Sequence, residues 1–156
     1  MRNSEINVFD VTIQKSKLWV REVMDELKLQ DSHKALLALK AALHALRDRL
    51  SPAEVAQLGA QLPGIIRGVY YEDWRPAGKP SRERHKEEFL AHIKWYFAQD
   101  ARLDPETVAC AVFRVLDRHI TEGESVRQLL PAELRMLWPP RPEEIITQGA
   151  QGAQAL

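Results

Sequence analysis

The sequence predicts an all-α helical bundle made of two tandem, related units of three to four helices each. Apolar residues recur every three or four positions along most of the chain, which is the period of an amphipathic helix. Helix-start signals, such as the stretch Ser51–Glu54, stand in front of several of these stripes. The two halves also resemble each other at a spacing of 70 residues. With 156 residues, the chain is long enough to bury a core as one domain.

The first helix is predicted from an apolar stripe that starts at Leu18, with Asp10 as its cap and Phe9 just outside it. A second stripe follows Asp31 and Ser32, either of which is a suitable N-cap. This stripe consists of Leu36, Leu39, Leu43, Leu46 and Leu50. Its period predicts the second helix.

The stretch Ser51–Glu54 predicts a third helix that ends near Leu62. Its serine suits the N-cap, its proline suits the first turn, and its glutamate completes a capping box. Pro63 and Gly64 then interrupt the chain, and the apolar sequence IIRGVYY after them predicts a short fourth helix.

The second half begins with a linker, residues 75–88, which is rich in proline and charge and poor in apolar residues. Ser81 is placed to cap a helix over residues 82–99. Asp104, followed by proline, starts another helix that runs to about His119. Residues 140–156 hold few large apolar side chains and are predicted to be a flexible tail.

The repeat divides the chain into a first unit, residues 9–76, and a second unit, residues 77–139, which we expect to form one compact domain. Apolar residues 70 positions apart correspond, and the stretch Ser51–Glu54 corresponds to Thr121–Glu124, a second predicted capping box. After two residues drop out, the spacing becomes 68. It then pairs Leu62 with Leu130, Pro63 with Pro131, Ile66 with Leu134, Arg67 with Arg135 and Tyr70 with Trp138. A feature present in both units is expected to be structural, and a feature present in one is a better functional candidate.

The segments ALHALRDRLSPAEVAQLGAQLPGIIRGVYYEDWRP, EFL and LPAELRMLWP resemble a family of bacterial proteins catalogued as a domain of unknown function, number 2267. The resemblance covers roughly residues 9–139. It implies an all-α fold in a bacterial cytosolic protein, and it implies no activity and no catalytic residues.

The composition limits the function. Lys and Arg total 22, as do Asp and Glu, so the net charge is zero, and a dedicated nucleic-acid binder is not expected because it needs a basic face. The single cysteine, Cys110, excludes an internal disulfide and multi-cysteine zinc patterns. The chain has no secretory signal and no apolar run approaching eighteen residues, so we expect a cytoplasmic protein that does not span a membrane.

The sequence predicts no catalytic residue, metal site or cofactor. His85, Glu88 and His92 are spaced over two helical turns, which is too far for a paired ligand set and is typical of a solvated face. Cys110 lies between small and apolar residues and is interpreted as a small buried side chain. The basic run from residue 75 to residue 86 is interpreted as a solvated linker.

The candidate binding residues follow the predicted fourth helix, because most of them have no counterpart in the second unit. They are Tyr71, Glu72, Asp73, Trp74 and Arg75, with Arg67 one helical turn before them. Aromatic side chains and arginine are enriched at interface hot spots. Tyr70 has an aromatic counterpart and is interpreted as packing.

Two functions remain open from the sequence, and nucleic-acid binding through the linker at residues 75–86 is a third interpretation, which the zero net charge disfavours. The first is a non-enzymatic module that binds an unknown protein partner or associates with itself. The alternative is a site for a small anionic ligand, or a minor enzymatic activity, in the cleft between the two units. In that alternative Arg67, Arg75 and either Arg47 or Arg49 would face the anion.

Overall fold

The computed structural model describes residues 3–140, with side chains from residue 7 onward, and in this part of the chain it holds eight helices and no strand. The helices are α1 (Asn3–Leu27), α2 (Ser32–Arg47), α3 (Pro52–Gly59), α4 (Gly64–Tyr71), α5 (Lys86–Trp95), α6 (Pro105–His119), α7 (Gly123–Leu129) and α8 (Ala132–Arg135). The predicted all-α bundle is therefore confirmed. Of the predicted tail, residues 141–156 lie outside the described residues.

Three predicted helix starts are confirmed with their capping bonds. The carboxylate of Asp31 accepts from the backbone N–H of His33 at 2.9 Å. Ser51 and Glu54 form the reciprocal capping box in front of α3. Asp104 accepts from the backbone N–H of Thr107 at 3.0 Å, and proline follows it at the first position of α6. These signals are local, so the sequence was sufficient to place them.

Two predicted caps are wrong because the chain makes other bonds there. Asp10 does not cap α1, which begins at Asn3; no glycine or proline interrupts the helix between those positions. Ser81 does not start a helix either, and α5 begins at Lys86 instead of residue 82. The backbone N–H of Ser81 donates to the carbonyl of Asp48 at 2.8 Å, which holds this stretch against the end of α2 in a non-helical conformation.

The capping box predicted at Thr121 is also wrong. α7 begins at Gly123 and has no side-chain cap. The hydroxyl of Thr121 instead donates to the amide oxygen of Gln61 at 3.2 Å, and its backbone N–H donates to the same oxygen at 2.9 Å. The threonine is therefore used to join the two halves of the chain.

The core lies between the two long helix pairs α1–α2 and α5–α6. α1 contacts α6, α2 contacts α5, and α2 also crosses α6 at the centre. The shorter α4 packs on α1 and α2, while α8 packs on α5. α2 is almost entirely buried, and five alanines allow its neighbours to approach closely. They are Ala35, Ala38, Ala41, Ala42 and Ala45.

Several contacts between the helix pairs recur at a spacing of 70 residues. Trp19 stacks on His119 with ring centroids 5.0 Å apart. Phe89 follows Trp19 by 70 residues, and His119 follows Arg49 by 70 residues. The guanidinium carbon of Arg49 lies 5.5 Å from the centre of the Phe89 ring. Each contact therefore joins one residue of each half, and a shift of 70 positions converts one pair of residues into the other.

Further contacts follow the same rule. Arg114 bonds Glu26 at 3.2 Å, and the corresponding positions are His44 and Tyr96, which are hydrogen-bonded at 2.6 Å. At the spacing of 68, a guanidinium nitrogen of Arg67 donates to the carbonyl of Leu62 at 3.0 Å, as Arg135 does to Leu130 at 3.2 Å. Two related units facing each other would give this pattern. The division into residues 9–76 and 77–139 stays a prediction.

The capping difference between the two halves gives a direct test. Ser51→Ala should lower the free energy of unfolding by about 1 kcal/mol, because it leaves a backbone N–H of α3 without its acceptor. Thr121→Ala is the matched control, and it should cost less than half as much because Thr121 caps no helix. Chemical denaturation of both variants measures this. Equal losses would contradict the assignment of the cap.

Candidate functional site

The two aromatic residues of the predicted site are packed against the core instead of standing free. Tyr71 and Trp74 are half-buried, with ring centroids 5.7 Å apart. Tyr71 also meets Tyr70 edge-on at 4.9 Å. A Cβ added to Gly59 would lie 2.4 Å from the Tyr71 hydroxyl, so this ring fills the space that the glycine leaves. Much of this aromatic surface is thus covered by the fold.

The charged residues of the predicted site are exposed. Glu72 pairs with Lys40, which lowers the pKa of Glu72 and raises that of Lys40. Asp73 has a φ of 58°, a left-handed conformation that a short polar side chain tolerates, and it ends the chain reversal after α4. Arg75 is exposed in the linker. The turn therefore presents charge to solvent and keeps most of its aromatic surface inside.

Arg67 is bonded to the backbone of its own unit. Its guanidinium donates to the carbonyls of Gly59 at 2.7 Å, Leu62 at 3.0 Å and Ala60 at 3.3 Å. These bonds close the corner between α3 and α4. Since Arg135 makes the corresponding bond in the second half, Arg67 has the structural role that the repeat logic assigns to paired features.

Arg47 is bonded to the end of α4, so donors of its guanidinium are already used within the fold. One terminal nitrogen donates to the carbonyls of Tyr70 and Glu72, each at 2.8 Å, and its Nε donates to Asp48 at 3.1 Å. Arg47 is buried. Its guanidinium therefore satisfies helix-end carbonyls that α4 cannot satisfy itself, and it is not placed to bind an external anion.

His44 holds the same end of α4. Its Nε2 lies 2.7 Å from the carbonyl of Val69 and must donate to it, so the neutral ring accepts at Nδ1 from the Tyr96 hydroxyl at 2.6 Å. Burial lowers the pKa of His44, and the nearby positive charge of Arg47 lowers it further. The ring is thus a neutral bridge from α2 to α4 and to Tyr96, just beyond α5.

Two of the surface clefts are built from corresponding positions. The apolar cleft has a volume of about 600 Å³, and the cationic cleft has one of about 1050 Å³. The corresponding lining residues are Val8 and Gly78, Val11 and Ser81, Thr12 and Arg82, Gln61 and Leu129, Leu62 and Leu130, Pro63 and Pro131, Arg67 and Arg135, and His119 and Arg49. The scaffold is shared while the lining chemistry differs, which makes both clefts functional candidates.

Five large apolar side chains on α1 and at the start of α4 are open to solvent, and we call them the α1 apolar surface. Their exposed fractions are Val8 70%, Phe9 68%, Val11 51%, Leu18 42% and Ile65 47%. On the other flank of α1 lies a groove of about 500 Å³ that includes Ile13, Val20, Met24, Leu36 and Ile65. An exposed apolar surface of this kind is typical of an interaction site.

The sequence reasoning missed this surface because it placed the helix start at Asp10. Val8 was then outside the helix, and its alignment with Val11 and Leu18 on one helical face was not seen. The spacing of these three residues, three and then seven positions, was the available signal. Trp95 was missed as well, although it is 76% exposed. Its counterpart in the first half is Asp25, a polar position, which was the clue.

The remaining reactive side chains are engaged separately. His85 lies 3.5 Å from Glu133, whereas His92 lies 2.9 Å from Glu83. Cys110 is half-buried, and burial raises the pKa of its thiol. Within residues 3–140, no three His, Cys, Asp or Glu side chains are grouped so that they could hold a metal ion.

Comparison with protein-family models identifies a family that the chain matches. A family model described as "Uncharacterized conserved protein (DUF2267)" matches residues 16–137, which is more than half of the chain. A search of curated proteins finds no match. None of the helices within residues 3–140 has the length and apolarity needed to cross a membrane.

Removal of the Arg47 guanidinium should destabilise the fold strongly. Arg47→Met keeps an apolar stem but leaves the carbonyls of Tyr70 and Glu72 without their donor, which should cost about 3 kcal/mol of unfolding free energy. Arg75→Met is the control, since that side chain is exposed, and it should change stability by less than about 0.5 kcal/mol. Urea denaturation measures both. Similar small effects would refute the role given to Arg47.

The neutral state of His44 predicts a pH dependence. Its pKa is lowered in the folded protein, so the unfolded chain takes up the proton first as the pH falls. The stability contribution is therefore complete above a pH of about 6.5 and is lost below it, by up to about 1.4 kcal/mol per pH unit. Compared with the wild type, His44→Gln should show a shallower loss of stability between about pH 6.5 and 5. Parallel curves would rule this out.

Proposed function

The chain belongs to the family of uncharacterized conserved proteins DUF2267, and we propose that it is a non-enzymatic interaction module that binds an acidic amphipathic helix of a partner protein on the α1 apolar surface. The observation that carries the proposal is the exposure of the five large apolar side chains of that surface. Scattered single exposed residues are ordinary, but four of these lie on α1 and the fifth lies at the start of α4. Covering them would remove apolar area from water and favour association.

The shape of the surface favours a helical occupant. α1 runs between the apolar cleft on one flank and the groove with Ile13 and Met24 on the other. A partner helix that lies along α1 could place apolar side chains at positions three and four apart into these depressions. Since Leu62 and Pro63 form the floor of the apolar cleft beside Trp19, the walls are rigid elements of the fold.

The charges of α1 between residues 7 and 21, beside its exposed apolar side chains, favour an acidic partner over a second copy of the chain. Between residues 7 and 21, α1 carries Lys15, Lys17 and Arg21 against one acid, Asp10, a local charge of 3 − 1 = +2. Two copies that met through α1 would bring these like charges together. Acidic side chains flanking an apolar stripe would pair with them and would raise the association rate at low salt.

The turn from Tyr71 to Arg75 stays the second candidate surface. Its exposed members are Glu72, Asp73 and Arg75, so any contact there would be polar and would contribute at the rim of an interface. Its aromatic members pack on the core. Their removal would therefore change stability together with any binding, and they make poor first targets for mutation.

The test uses two double variants with comparable apolar exposure. Phe9→Ser/Leu18→Ser removes part of the α1 apolar surface, and Leu129→Ser/Met136→Ser removes side chains that are 47% and 80% exposed elsewhere. Quantitative pull-downs from a bacterial lysate should retain a protein on the wild type and on the second variant, and lose it on the first. The retained protein is then purified. Calorimetry should show that Lys15→Glu/Lys17→Glu binds it about tenfold more weakly than the wild type does.

Light scattering on the same proteins distinguishes the occupants. We expect a wild-type monomer across the concentration range, because the α1 charges disfavour pairing of two copies. A dimer that is lost only in Phe9→Ser/Leu18→Ser would replace the partner protein with a second copy. Equal retention by all variants would remove the α1 apolar surface from the proposal.

A further inference from the structure

We infer that the cationic cleft binds a small phosphorylated anion, independently of the α1 apolar surface. This cleft lies between the end of α2, the linker and the α7–α8 corner. Its basic residues are Arg49, Lys79, Arg82, Arg84 and Arg135, and Glu83 is the one carboxylate among its described lining residues. In a chain of zero net charge, five cations against one acid concentrate positive potential at this place.

Arg49 forms the buried base of the cleft. The whole residue is 7% exposed, and its guanidinium lies over Phe89. One terminal nitrogen donates to Glu83 at 2.9 Å, while Nε, also buried, has no hydrogen-bond partner in the described part of the chain. A buried guanidinium with a free donor is costly for folding, so a ligand that accepts this hydrogen bond would be held with more than surface attraction.

The other cations of the cleft have donors that few groups of the fold use. Arg82 and Arg84 are exposed, and neither forms an ion pair among residues 3–140. Lys79 lies 3.8 Å from Asp48, a long and weak pair. Arg135 uses its Nε for the carbonyl of Leu130, which leaves its terminal nitrogens for other acceptors. Several guanidinium groups are thus available to one anion.

The corresponding cleft shows that the fold does not require these charges. There His119 replaces Arg49 and is paired with Glu22, while Val8, Val11 and Thr12 replace Gly78, Ser81 and Arg82. Both halves keep the floor made by the leucine–proline pair and the arginine bonded to it. Since Lys79, Arg82 and Arg84 correspond to Phe9, Thr12 and Gln14, a structural explanation that applies to both halves does not account for these three cations.

The lining indicates the class of ligand. Planar guanidinium groups match phosphate oxygens in pairs. None of the described lining residues is aromatic, so the cleft offers no ring on which a nucleobase could stack. The open volume of about 1050 Å³ is at the upper end for small-molecule sites. These features fit a compact ligand with one or more phosphoryl groups, such as a phosphorylated sugar or acid.

Titration calorimetry of the full chain with pyrophosphate, at low salt, tests the inference. Wild-type protein should bind at one site, and added NaCl should weaken binding. Arg82→Gln/Arg84→Gln should weaken it about tenfold, while Arg102→Gln/Lys94→Gln, which removes two exposed cations elsewhere, should change it less than twofold. Arg49→Lys keeps the charge but loses the fork of donors, so it should also bind about tenfold more weakly.

Three results would overturn the inference. They are no binding by the wild type at millimolar pyrophosphate, equal weakening in both double variants, and citrate binding as tight as pyrophosphate, which would show general anion attraction. The Arg82 and Arg84 side chains are exposed, so their variant keeps the test valid if Arg49→Lys fails to fold. The variants of the α1 apolar surface should bind pyrophosphate normally, which separates this result from the fate of the proposed protein interaction.

Discussion

The fold depends on how the end of α4 is held by two buried polar side chains of α2. α4 begins at Gly64, directly after Pro63, and the last carbonyls of a helix need donors from elsewhere. His44 and Arg47 supply them, to Val69, Tyr70 and Glu72. Because these bonds fix α4 on α2, they also fix the turn after α4 and the wall of the groove beside α1.

In the second half, the corresponding contact is made by different chemical groups. The counterparts of Arg47 and Tyr70 are Asp117 and Trp138, and the indole N–H of Trp138 lies 3.3 Å from the carboxylate of Asp117. Trp138 also stacks on Phe113 at 4.8 Å. The position of the contact is kept while donor and acceptor change, so the constraint acts on geometry more than on residue type. The two clefts, with shared floors and opposite linings, differ in the same way.

Local features could be predicted from the sequence, and long-range ones could not. Apolar stripes and the caps at Asp31, Ser51 and Asp104 concern neighbours within a few residues, and they are confirmed. The bond between Arg49 and Glu83 spans 34 residues and depends on how the linker returns to α2. The same limit applies to the burial of the tryptophans. Tertiary packing covers much of Trp74 and leaves Trp95 exposed.

The residues that stabilise the fold are separate from the surfaces that we propose for binding. The arginines that pack in the first unit, Arg47 and Arg67, spend their donors on backbone carbonyls and are committed to the fold. The cations of the linker, Arg82 and Arg84, and the exposed apolar side chains of α1 make few contacts with the core, so substitution there costs little stability. Both surfaces can therefore diverge while the bundle is preserved. We expect a family with this helical scaffold to be recognisable by its buried positions, whereas the residues that line the clefts can vary.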